Sequence, residues 1–311
     1  MSVLVTGGAG FIGSNLVRGL NEAGVRDVVV SDDLHRSEKL RNLSGLSIAD
    51  YYDKSELIAS LPKLAPLDAI FHQGACATTT EPDGRYLMAN NFSYSKALLH
   101  FAINHEIPFF YASSAAVYGD GRRGFEEREE CEDPLNVYAY SKLQFDNYVR
   151  RLPSTVTSPV AGLRYFNVYG PREAHKGRMA SVAFHLHGQH ARGEAMKLFE
   201  GSDSLLRDFV FVDDVVRVNL FLWQHRVSGL FNCGTGKARS FGDVGRLMQR
   251  HCAGARLESI PFPPDLQGKY QRFTEASLAR LRAAGFDGEL TSLEDGLRRY
   301  AEHLVHRSSP Q

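Results

Sequence analysis

A glycine-rich segment near the start of the chain constrains the fold more than any other feature. The apolar run Ser2-Val-Leu-Val-Thr6 leads directly into Gly7-Gly-Ala-Gly10-Phe-Ile-Gly13, and a helical pattern follows over residues 14–20. Glycines let the backbone turn tightly and approach a pyrophosphate, which then lies on free N–H groups at the positive end of the helix. This order of strand, turn and helix predicts a dinucleotide-binding site that includes Gly7, Gly10 and Gly13.

The next strand ends in two acidic residues that bear on which dinucleotide is bound. Asp27-Val-Val-Val-Ser31 is followed by Asp32-Asp33, near the position where an acid meets the adenosine ribose, which favours NAD. Basic side chains follow at once and could hold the ribose 2′-phosphate of NADP instead: His35, Arg36 and Lys39. The residues of this loop leave both cofactors open.

Strand-like and helical runs alternate through the first half of the chain. The strand-like runs cover residues 67–72, 108–114 and 160–166, and helical patterns over residues 86–106 and 138–151 separate them. This alternation predicts an α/β fold with a doubly wound parallel sheet, whose ligands bind at the carboxyl ends of the strands. We therefore expect cleft residues just after these strands, among them Gly74, Ala75, Ser114 and Asn167.

The rest of the chain is expected to form a smaller, mixed α/β substrate-binding lobe. The regular alternation stops past residue 167, and residues 207–214 resemble a strand that returns to the sheet. We predict a dinucleotide-binding domain over residues 1–167, with a returning segment near residues 208–237. Residues 168–207 and 238–311 would then form the substrate-binding lobe.

A tyrosine and a lysine four residues apart, in Tyr138-Ala-Tyr-Ser-Lys142, could act together. In a helix they share a face, and a cation within about 4–6 Å lowers the pKa of a phenol. Tyr138 could then serve as a general base toward an alcohol. Ser114, at the end of a strand, could donate a hydrogen bond to the reacting oxygen. Because such a pair also occurs by chance in solvated helices, its context decides.

The composition argues against several classes of function. The 311 residues contain 36 Lys plus Arg and 36 Asp plus Glu, so no net field favours nucleic acid or an anionic membrane. Four scattered cysteines without a Cys-x-x-Cys pair argue against a metal site and a disulfide framework. No apolar run reaches the length of a membrane span, and the first predicted strand leaves no room for a signal peptide. We therefore expect a cytoplasmic protein without a metal, nucleic-acid or membrane partner.

The glycine turn, Ser114 and the pair Tyr138 and Lys142 together resemble the extended short-chain dehydrogenase/reductase superfamily over nearly the whole chain. This resemblance implies a Rossmann-type sheet. Further segments resemble the nucleotide-sugar epimerases of this superfamily that act on ADP-heptoses: Phe71-His-Gln-Gly-Ala-Cys76, Arg164-Tyr-Phe-Asn-Val-Tyr-Gly-Pro-Arg172, His175-Lys-Gly177, Met179-Ala-Ser-Val-Ala-Phe-His185 and Lys197-Leu-Phe-Glu-Gly-Ser202.

The resemblance implies an isomerase that inverts C6″ of an ADP-heptose by transient oxidation and re-reduction on the opposite face with bound NADP. Tyr138 and Lys176 would handle the protons, with Ser114 and Lys142 beside them. Lys142 and Lys176 would also contact the cofactor, together with Gly7, Gly10, Phe11, Ile12, Gly13, Asp32, Asp33, Lys39, Lys54, Gln73, Gly74, Ala75, Cys76, Ala77, Asn90 and Val168.

The same resemblance places the ADP-heptose substrate at Asn167, Arg178, His185, Phe199, Glu200, Gly201, Ser202, Arg207 and Tyr270. Two positions depart from the family pattern. Asp33, where an asparagine is common, would repel a 2′-phosphate and leaves NAD as the alternative cofactor. Arg178, where a serine is familiar, could add a phosphate contact or be a surface charge. The resemblance also implies a homo-oligomer, by analogy a pentamer, and a role in lipopolysaccharide core biosynthesis.

Three other functions compete with this interpretation. A sugar-nucleotide 4,6-dehydratase would carry an Asp-Glu pair after the strand-end serine, where this chain has Ala115-Ala116. A UDP-sugar 4-epimerase would share most of the cleft and is the main alternative, although the Lys176 loop argues against it. A non-catalytic NADP-binding sensor would keep the glycine turn but would not need Tyr138, Lys142 and Ser114 together.

Overall fold

A parallel sheet of seven strands lies at the centre of the computed structural model, which describes residues 1–64, 66–263 and 271–308. The strands are β1 (Ser2–Thr6), β2 (Asp27–Asp32), β3 (Asp50–Asp53), β4 (Ala69–His72), β5 (Phe109–Ser114), β6 (Val160–Tyr165) and β10 (Gly229–Cys233). Their spatial order is β3-β2-β1-β4-β5-β6-β10. The predicted doubly wound parallel sheet is thus confirmed.

Helices cover both faces of this sheet. The α-helices of the described residues are α1 (Phe11–Glu22), α2 (Leu40–Leu43), α3 (Lys54–Leu64), α4 (Gly84–Leu87), α5 (Tyr94–Asn104), α6 (Val137–Arg150), α7 (Val182–Ala191), α8 (Val212–Gln224), α9 (Phe241–His251), α10 (Ala279–Ala283) and α11 (Leu293–Ser308). Of these, α7, α9 and α11 pack in a separate core and not on this sheet. Val3 of β1 packs in the core beneath α1 and α8, whereas its neighbour Leu4 packs in the core beneath α3, α5 and α6, as the alternation of strand side chains requires. None of the described helices is both long and apolar enough to cross a membrane.

The chain reverses its direction across the sheet between β3 and β4. Because β1 pairs with β2 on one side and with β4 on the other, a crevice opens at the carboxyl ends of β1 and β4. The segments after these two strands approach each other closely there. A Cβ added to Gly7 would lie only 2.6 Å from the backbone nitrogen of Gly74.

The second part of the chain contributes two smaller sheets and a separate core. One sheet contains β11 (Ala238–Ser240), β9 (Leu206–Phe211) and β7 (Asn167–Tyr169), and the other pairs β12 (Leu257–Ile260) with β8 (Met196–Phe199). Strand β9, which we expected to return to the main sheet, lies in the three-stranded sheet because Phe209 and Phe211 pack against α7, α9 and α11. The returning segment instead joins the main sheet through β10. The proposed domain boundaries remain a prediction.

Candidate active site

The glycine turn between β1 and α1 has the backbone geometry that only glycine permits. Gly7 has a φ of +67°, in the left-handed region. A Cβ added to Gly13 would lie 2.1 Å from the carbonyl oxygen of Gly7, so any larger residue there would push the turn open. Helix α1 begins after Gly10, and among the described side chains none caps its first N–H groups. The turn therefore presents bare backbone donors at a helix start, which suits a pyrophosphate.

This turn lines a cleft of about 440 Å³, within the size range of cofactor sites. The structure brings together in its lining most of the residues predicted to bind cofactor: Gly7, Gly10, Phe11, Ile12, Gly13, Asp32, Asp33, Lys39, Lys54, Gln73, Gly74, Ala75, Cys76, Ala77, Asn90 and Lys176. Of the predicted set, Lys142 is buried beneath the cleft and Val168 packs against the core. His35 and Arg36 also line it.

The two acids after β2 are each paired with a lysine. Asp32 is buried, accepts a hydrogen bond from the backbone of Ala9 at 2.8 Å and forms an ion pair with Lys39 at 2.7 Å. Asp33 is half-exposed and lies 3.5 Å from the ammonium of Lys54. A hydrogen bond from the backbone of His35, aided by Lys54, lowers the pKa of Asp33 below its usual value. Lys39 and Lys54, both predicted to contact the cofactor, therefore already face a carboxylate.

Tyr138 and Ser114 come together at the end of β5, as predicted. The Ser114 hydroxyl lies near the Tyr138 phenol and acts to lower its pKa, and it accepts a hydrogen bond from the backbone of Ala116 at 3.2 Å. The expected effect of Lys142 on Tyr138 is wrong, however. Burial raises the pKa of Tyr138, and the Ser114 hydroxyl offsets this only in part. The Lys142 ammonium instead donates to the carbonyl of Ala112 at 2.8 Å, and burial lowers its pKa to about 8.

A buried charge network below Lys142 holds α6 against the sheet, and sequence reasoning missed it. Asp146, one turn after Lys142, accepts hydrogen bonds from Tyr111 at 3.0 Å, Ser113 at 2.9 Å and the guanidinium of Arg164 at 2.9 Å. Asp146 and Arg164 have no exposed side-chain surface, and Glu132 pairs with the same guanidinium. The four-residue spacing from Lys142 was the signal that could have revealed Asp146.

A second unpredicted residue, Asn91, connects the loop after β4 to α6. Its side-chain oxygen accepts from the backbone of Cys76 at 2.8 Å, and its amide donates to the carbonyl of Cys76 and to the hydroxyl of Ser141, both at 3.1 Å. Ser141 in turn donates to the carbonyl of Tyr138 at 2.7 Å. Asn91 thereby fixes Cys76, a residue of the cofactor cleft, next to Tyr138. Nothing in the local sequence distinguishes Asn91 from the neighbouring Asn90.

Lys176 reaches the cleft from the loop after β7. Its ammonium lies 4.9 Å from the ring centre of Phe11 and 3.8 Å from a carboxylate oxygen of Glu173. Burial lowers the pKa of Lys176, whereas Glu173 acts in the opposite direction. The loop is anchored on the glycine-turn side, since Asn15 donates to the carbonyl of Pro171 at 2.9 Å. Among the described residues, no hydrogen bond or ion pair joins Lys176 to Tyr138.

The predicted substrate residues lie on the smaller lobe. Asn167, Arg178, His185, Glu200 and Gly201 are exposed, and Phe199 and Ser202 are half-buried at and after the end of β8. Arg207 is buried in β9, with its guanidinium over the ring of Phe241 and in contact with the backbone of Leu206 and Gln271. Tyr270 lies outside the described residues. The structure therefore places the described residues of this set on one lobe.

The cleft is built for a dinucleotide and for proton transfer beside it. Backbone donors at α1 suit the pyrophosphate, and the acids at the end of β2 suit the adenosine ribose. Tyr138 and Ser114 lie near each other, and a phenol and a hydroxyl are groups that can exchange a proton or a hydrogen bond with an alcohol or ketone oxygen. These features define a dinucleotide-dependent enzyme that acts on a hydroxyl group.

Comparison with known proteins agrees with this class. The chain belongs to the NAD dependent epimerase/dehydratase family, whose model matches residues 3–234. An ADP-L-glycero-D-manno-heptose-6-epimerase from Brachyspira hyodysenteriae is 51% identical to this chain over 309 residues, which are 97% of each protein. The resemblance inferred from the sequence motifs is therefore confirmed.

Solved structures agree with the fold. The crystal structure of ADP-L-glycero-D-manno-heptose-6-epimerase from Helicobacter pylori superimposes with a TM-score of 0.86 and 32% identity, and covers 98% of this chain and 96% of that one. A UDP-glucose 4-epimerase from Thermus thermophilus in complex with NAD superimposes with a TM-score of 0.82 and 26% identity, and covers 98% and 99%. The identity is higher for the heptose epimerase, whereas the fold is shared, since a UDP-N-acetylglucosamine 4-epimerase from Methanobrevibacter ruminantium also superimposes with a TM-score of 0.86, at 23% identity.

Proposed function

We propose that this protein is an ADP-L-glycero-D-manno-heptose 6-epimerase, which converts ADP-D-glycero-D-manno-heptose to its C6″ epimer. The observation that carries the proposal is the 51% identity to an epimerase of this name across nearly the full length of both chains. The cleft supports it, because the glycine turn and Lys176 line one cavity. Identity to a UDP-glucose 4-epimerase is only 26%, so the main alternative is not favoured.

The reaction must break and remake the C–H bond at C6″. A bound nicotinamide cofactor supplies this chemistry by accepting a hydride and returning it. The residues of the chain manage the accompanying proton. Tyr138 enters the reaction protonated, because burial raises its pKa and the nearby Ser114 hydroxyl offsets this only in part. Burial lowers the pKa of Lys176 and brings this amine closer to the range where it can accept a proton.

Two proton-handling groups are useful because the substrate presents opposite faces in the two half-reactions. When the sugar turns, its oxygen moves away from the first group and toward the second. Tyr138 on α6 and Lys176 on the loop after β7 belong to different parts of the chain, which suits two positions of that oxygen. We assign one half-reaction to each residue. Lys142 acts as a buried cation below the site, held by the carbonyl of Ala112.

We propose that the cofactor is NADP, and that Asp33 makes the preference for NADP over NAD smaller than it would be without this acid. Lys39, Lys54 and Arg36 line the ribose end of the cleft and would face a 2′-phosphate. Asp33 lies among them and competes with that phosphate for Lys54. The acids suit the ribose hydroxyls of either cofactor.

We extend the family resemblance to the substrate contacts and to the setting of the enzyme. The ADP-heptose would bind along β7, α7, β8 and β9, with Arg178 available to a phosphate. The protein would act in the cytoplasm, as a homo-oligomer and by analogy a pentamer, in the synthesis of lipopolysaccharide core precursors. Sedimentation of the purified protein tests the assembly, since a monomer at micromolar concentration contradicts it.

The activity is tested with purified protein and ADP-D-glycero-D-manno-heptose, without added cofactor, followed by chromatographic separation of the C6″ epimers. We expect conversion to a mixture of both epimers. UDP-glucose, incubated in parallel, should stay unchanged. The proposal fails if the heptose is not epimerised while UDP-glucose is converted to its C4 epimer.

A further inference from the structure

A buried carboxylate that sequence reasoning left unassigned holds the ammonium of Lys176. We propose that Glu173 is a positioning residue, which is fixed by Ser181 and Tyr300 and keeps the Lys176 side chain at the cofactor cleft during epimerisation. The inference rests on the proposed function, in which Lys176 is the second proton-handling group. Glu173 itself would touch neither substrate nor cofactor.

Both oxygens of Glu173 are fully engaged. One accepts a hydrogen bond from the Ser181 hydroxyl at 2.6 Å and another from the phenol of Tyr300 at 2.9 Å. The other accepts from the backbone N–H of Ser181 at 2.6 Å and lies 3.8 Å from the Lys176 ammonium. The carboxylate therefore has one fixed orientation, and its second oxygen faces Lys176.

The three hydrogen bonds come from elements that pack beneath the loop. Ser181 begins α7, and Tyr300 lies in the middle of α11, 127 residues away along the chain. Tyr300 and Glu173 are each 1% exposed. Since α7 and α11 belong to the core of the smaller lobe, the position of Glu173 is set by that lobe.

Lys176 thus bridges two parts of the molecule. On one side its ammonium pairs with Glu173, and on the other it lies 4.9 Å from the ring of Phe11 in the first turn of α1. A long, flexible lysine side chain pays rotamer entropy when it is held in one place. Two contacts on opposite sides restrict it before substrate binds, which is what a proton-handling group requires.

Burying a carboxylate carries a large desolvation penalty, which an apolar residue of the same size would avoid. This penalty supports a role for the charge of Glu173. Removing such a charge from water costs several kcal/mol and is offset only by good hydrogen bonds and a nearby cation. On the same loop, burial lowers the pKa of His175, on which its neighbour Lys176 also acts, as do Lys39 and Asp32 from the ribose end of the cleft. Arg178 follows two residues after Lys176. Glu173 is the anion among them that contacts Lys176 directly.

The test compares Glu173→Gln with the parent protein in two assays. Acetic anhydride acylates only unprotonated amines, so the acylation rate of Lys176, followed by peptide mass spectrometry across pH, measures its pKa in the resting protein. Glutamine keeps the shape of Glu173 and one hydrogen-bond acceptor but removes the negative charge, so the pKa of Lys176 should fall by about one unit. Because more of the amine is then unprotonated, we expect its acylation rate at pH 7 to rise about tenfold. We expect kcat to fall at least about tenfold, with KM within about twofold.

Two further variants make the result decisive. Glu194→Gln removes an exposed glutamate that pairs with Arg192 and should match the parent in both assays. Tyr300→Phe keeps the Glu173 charge and removes one hydrogen bond, so it should lower kcat less than Glu173→Gln does, and it carries the test if Glu173→Gln does not fold. The proposal is overturned if Glu173→Gln retains parental acylation and kcat or, where Glu173→Gln does not fold, if Tyr300→Phe retains parental kcat.

The assays also separate this inference from the proposed function. Acylation of the resting protein requires no substrate, so it reports the Glu173 contact whatever the enzyme converts. If Lys176→Met is fully active, the second proton-handling group is wrong and the catalytic part of the inference is overturned with it. The role of Lys176 and the positioning role of Glu173 are both supported if kcat falls in Lys176→Met and in Glu173→Gln and acylation is faster in Glu173→Gln.

Discussion

Replacing Asp33 by asparagine should move the cofactor preference toward NADP. In the structure, Asp33 lies 3.5 Å from the Lys54 ammonium and accepts a hydrogen bond from the backbone of His35 at 2.9 Å. An asparagine side chain can still accept that hydrogen bond, so the loop keeps its shape. Only the negative charge at the ribose end of the cleft is lost.

The magnitude follows from the ion pair. The side chains of Asp33 and Lys54 are 41% and 39% exposed, so the screened value for a pair at this distance applies, about 1 kcal/mol. Without the carboxylate, Lys54 can face a 2′-phosphate, and the repulsion between Asp33 and that phosphate disappears as well. Together, the ion pair that is no longer lost and the repulsion that is removed amount to about 1.4 kcal/mol, which corresponds to a tenfold gain in NADP affinity. The affinity for NAD should not rise, because its ribose hydroxyls gain no charge partner and lose a carboxylate that suits them.

The assay is isothermal titration calorimetry of cofactor-free protein with NADP and with NAD at low ionic strength. The quantity compared is the ratio of the two dissociation constants in parent and in Asp33→Asn. Glu38→Gln is the matched control, because Glu38 is an exposed carboxylate of the same loop outside the cleft lining, and its ratio should stay parental. An unchanged ratio in Asp33→Asn, or a shift toward NAD, would refute the reasoning.

Other substitutions test the remaining parts of the site. Tyr138→Phe should lower kcat by about 10²–10⁴-fold, because the proton donor is lost, while the affinity for cofactor in a titration stays parental; full activity would contradict the assignment. Lys176→Met should lower kcat by a similar factor, measured by epimer separation, and retained activity would show that Tyr138 suffices. Gly13→Ala should weaken cofactor binding at least about tenfold and destabilise the fold by about 1–3 kcal/mol, because its Cβ would lie 2.1 Å from a carbonyl oxygen. Asp146→Asn should lower the free energy of unfolding by about 3 kcal/mol in a urea titration, because it removes a buried partner of Arg164, and an unchanged midpoint would contradict the network.

The main sheet and the glycine turn could be predicted because their signals are local. The run of apolar residues before Gly7 predicts β1, and the glycines predict the turn. Helix α1 and β2 follow directly in the chain, so the acids at the end of β2 are found by their distance from the glycine turn. Each feature depends on residues close together in the chain. The carboxyl ends of parallel strands then meet at one edge, so the cleft followed from the order of the elements.

The long-range contacts could not be predicted, because they join residues that are far apart in the chain and leave no local signal. Strand β9 has the pattern of a sheet strand, but its partners, β7 and β11, are decided by the core into which Phe209 and Phe211 pack. The contact of Glu173 with Tyr300 joins residues 127 positions apart. The pKa of Tyr138 depends on its burial, which helix spacing does not reveal, so proximity to Lys142 alone suggested the wrong direction.

The most direct test of the central claim, that C6″ is inverted by a hydride that leaves and returns, follows the hydrogen at that carbon. ADP-D-glycero-D-manno-heptose is incubated with the enzyme in D₂O until both epimers are present, and the product is analysed by NMR and mass spectrometry. A hydride that leaves and returns without exchange predicts that the product keeps protium at C6″. Incorporation of solvent deuterium at C6″ would contradict the account, because it would show that the carbon is inverted by removal and return of a proton.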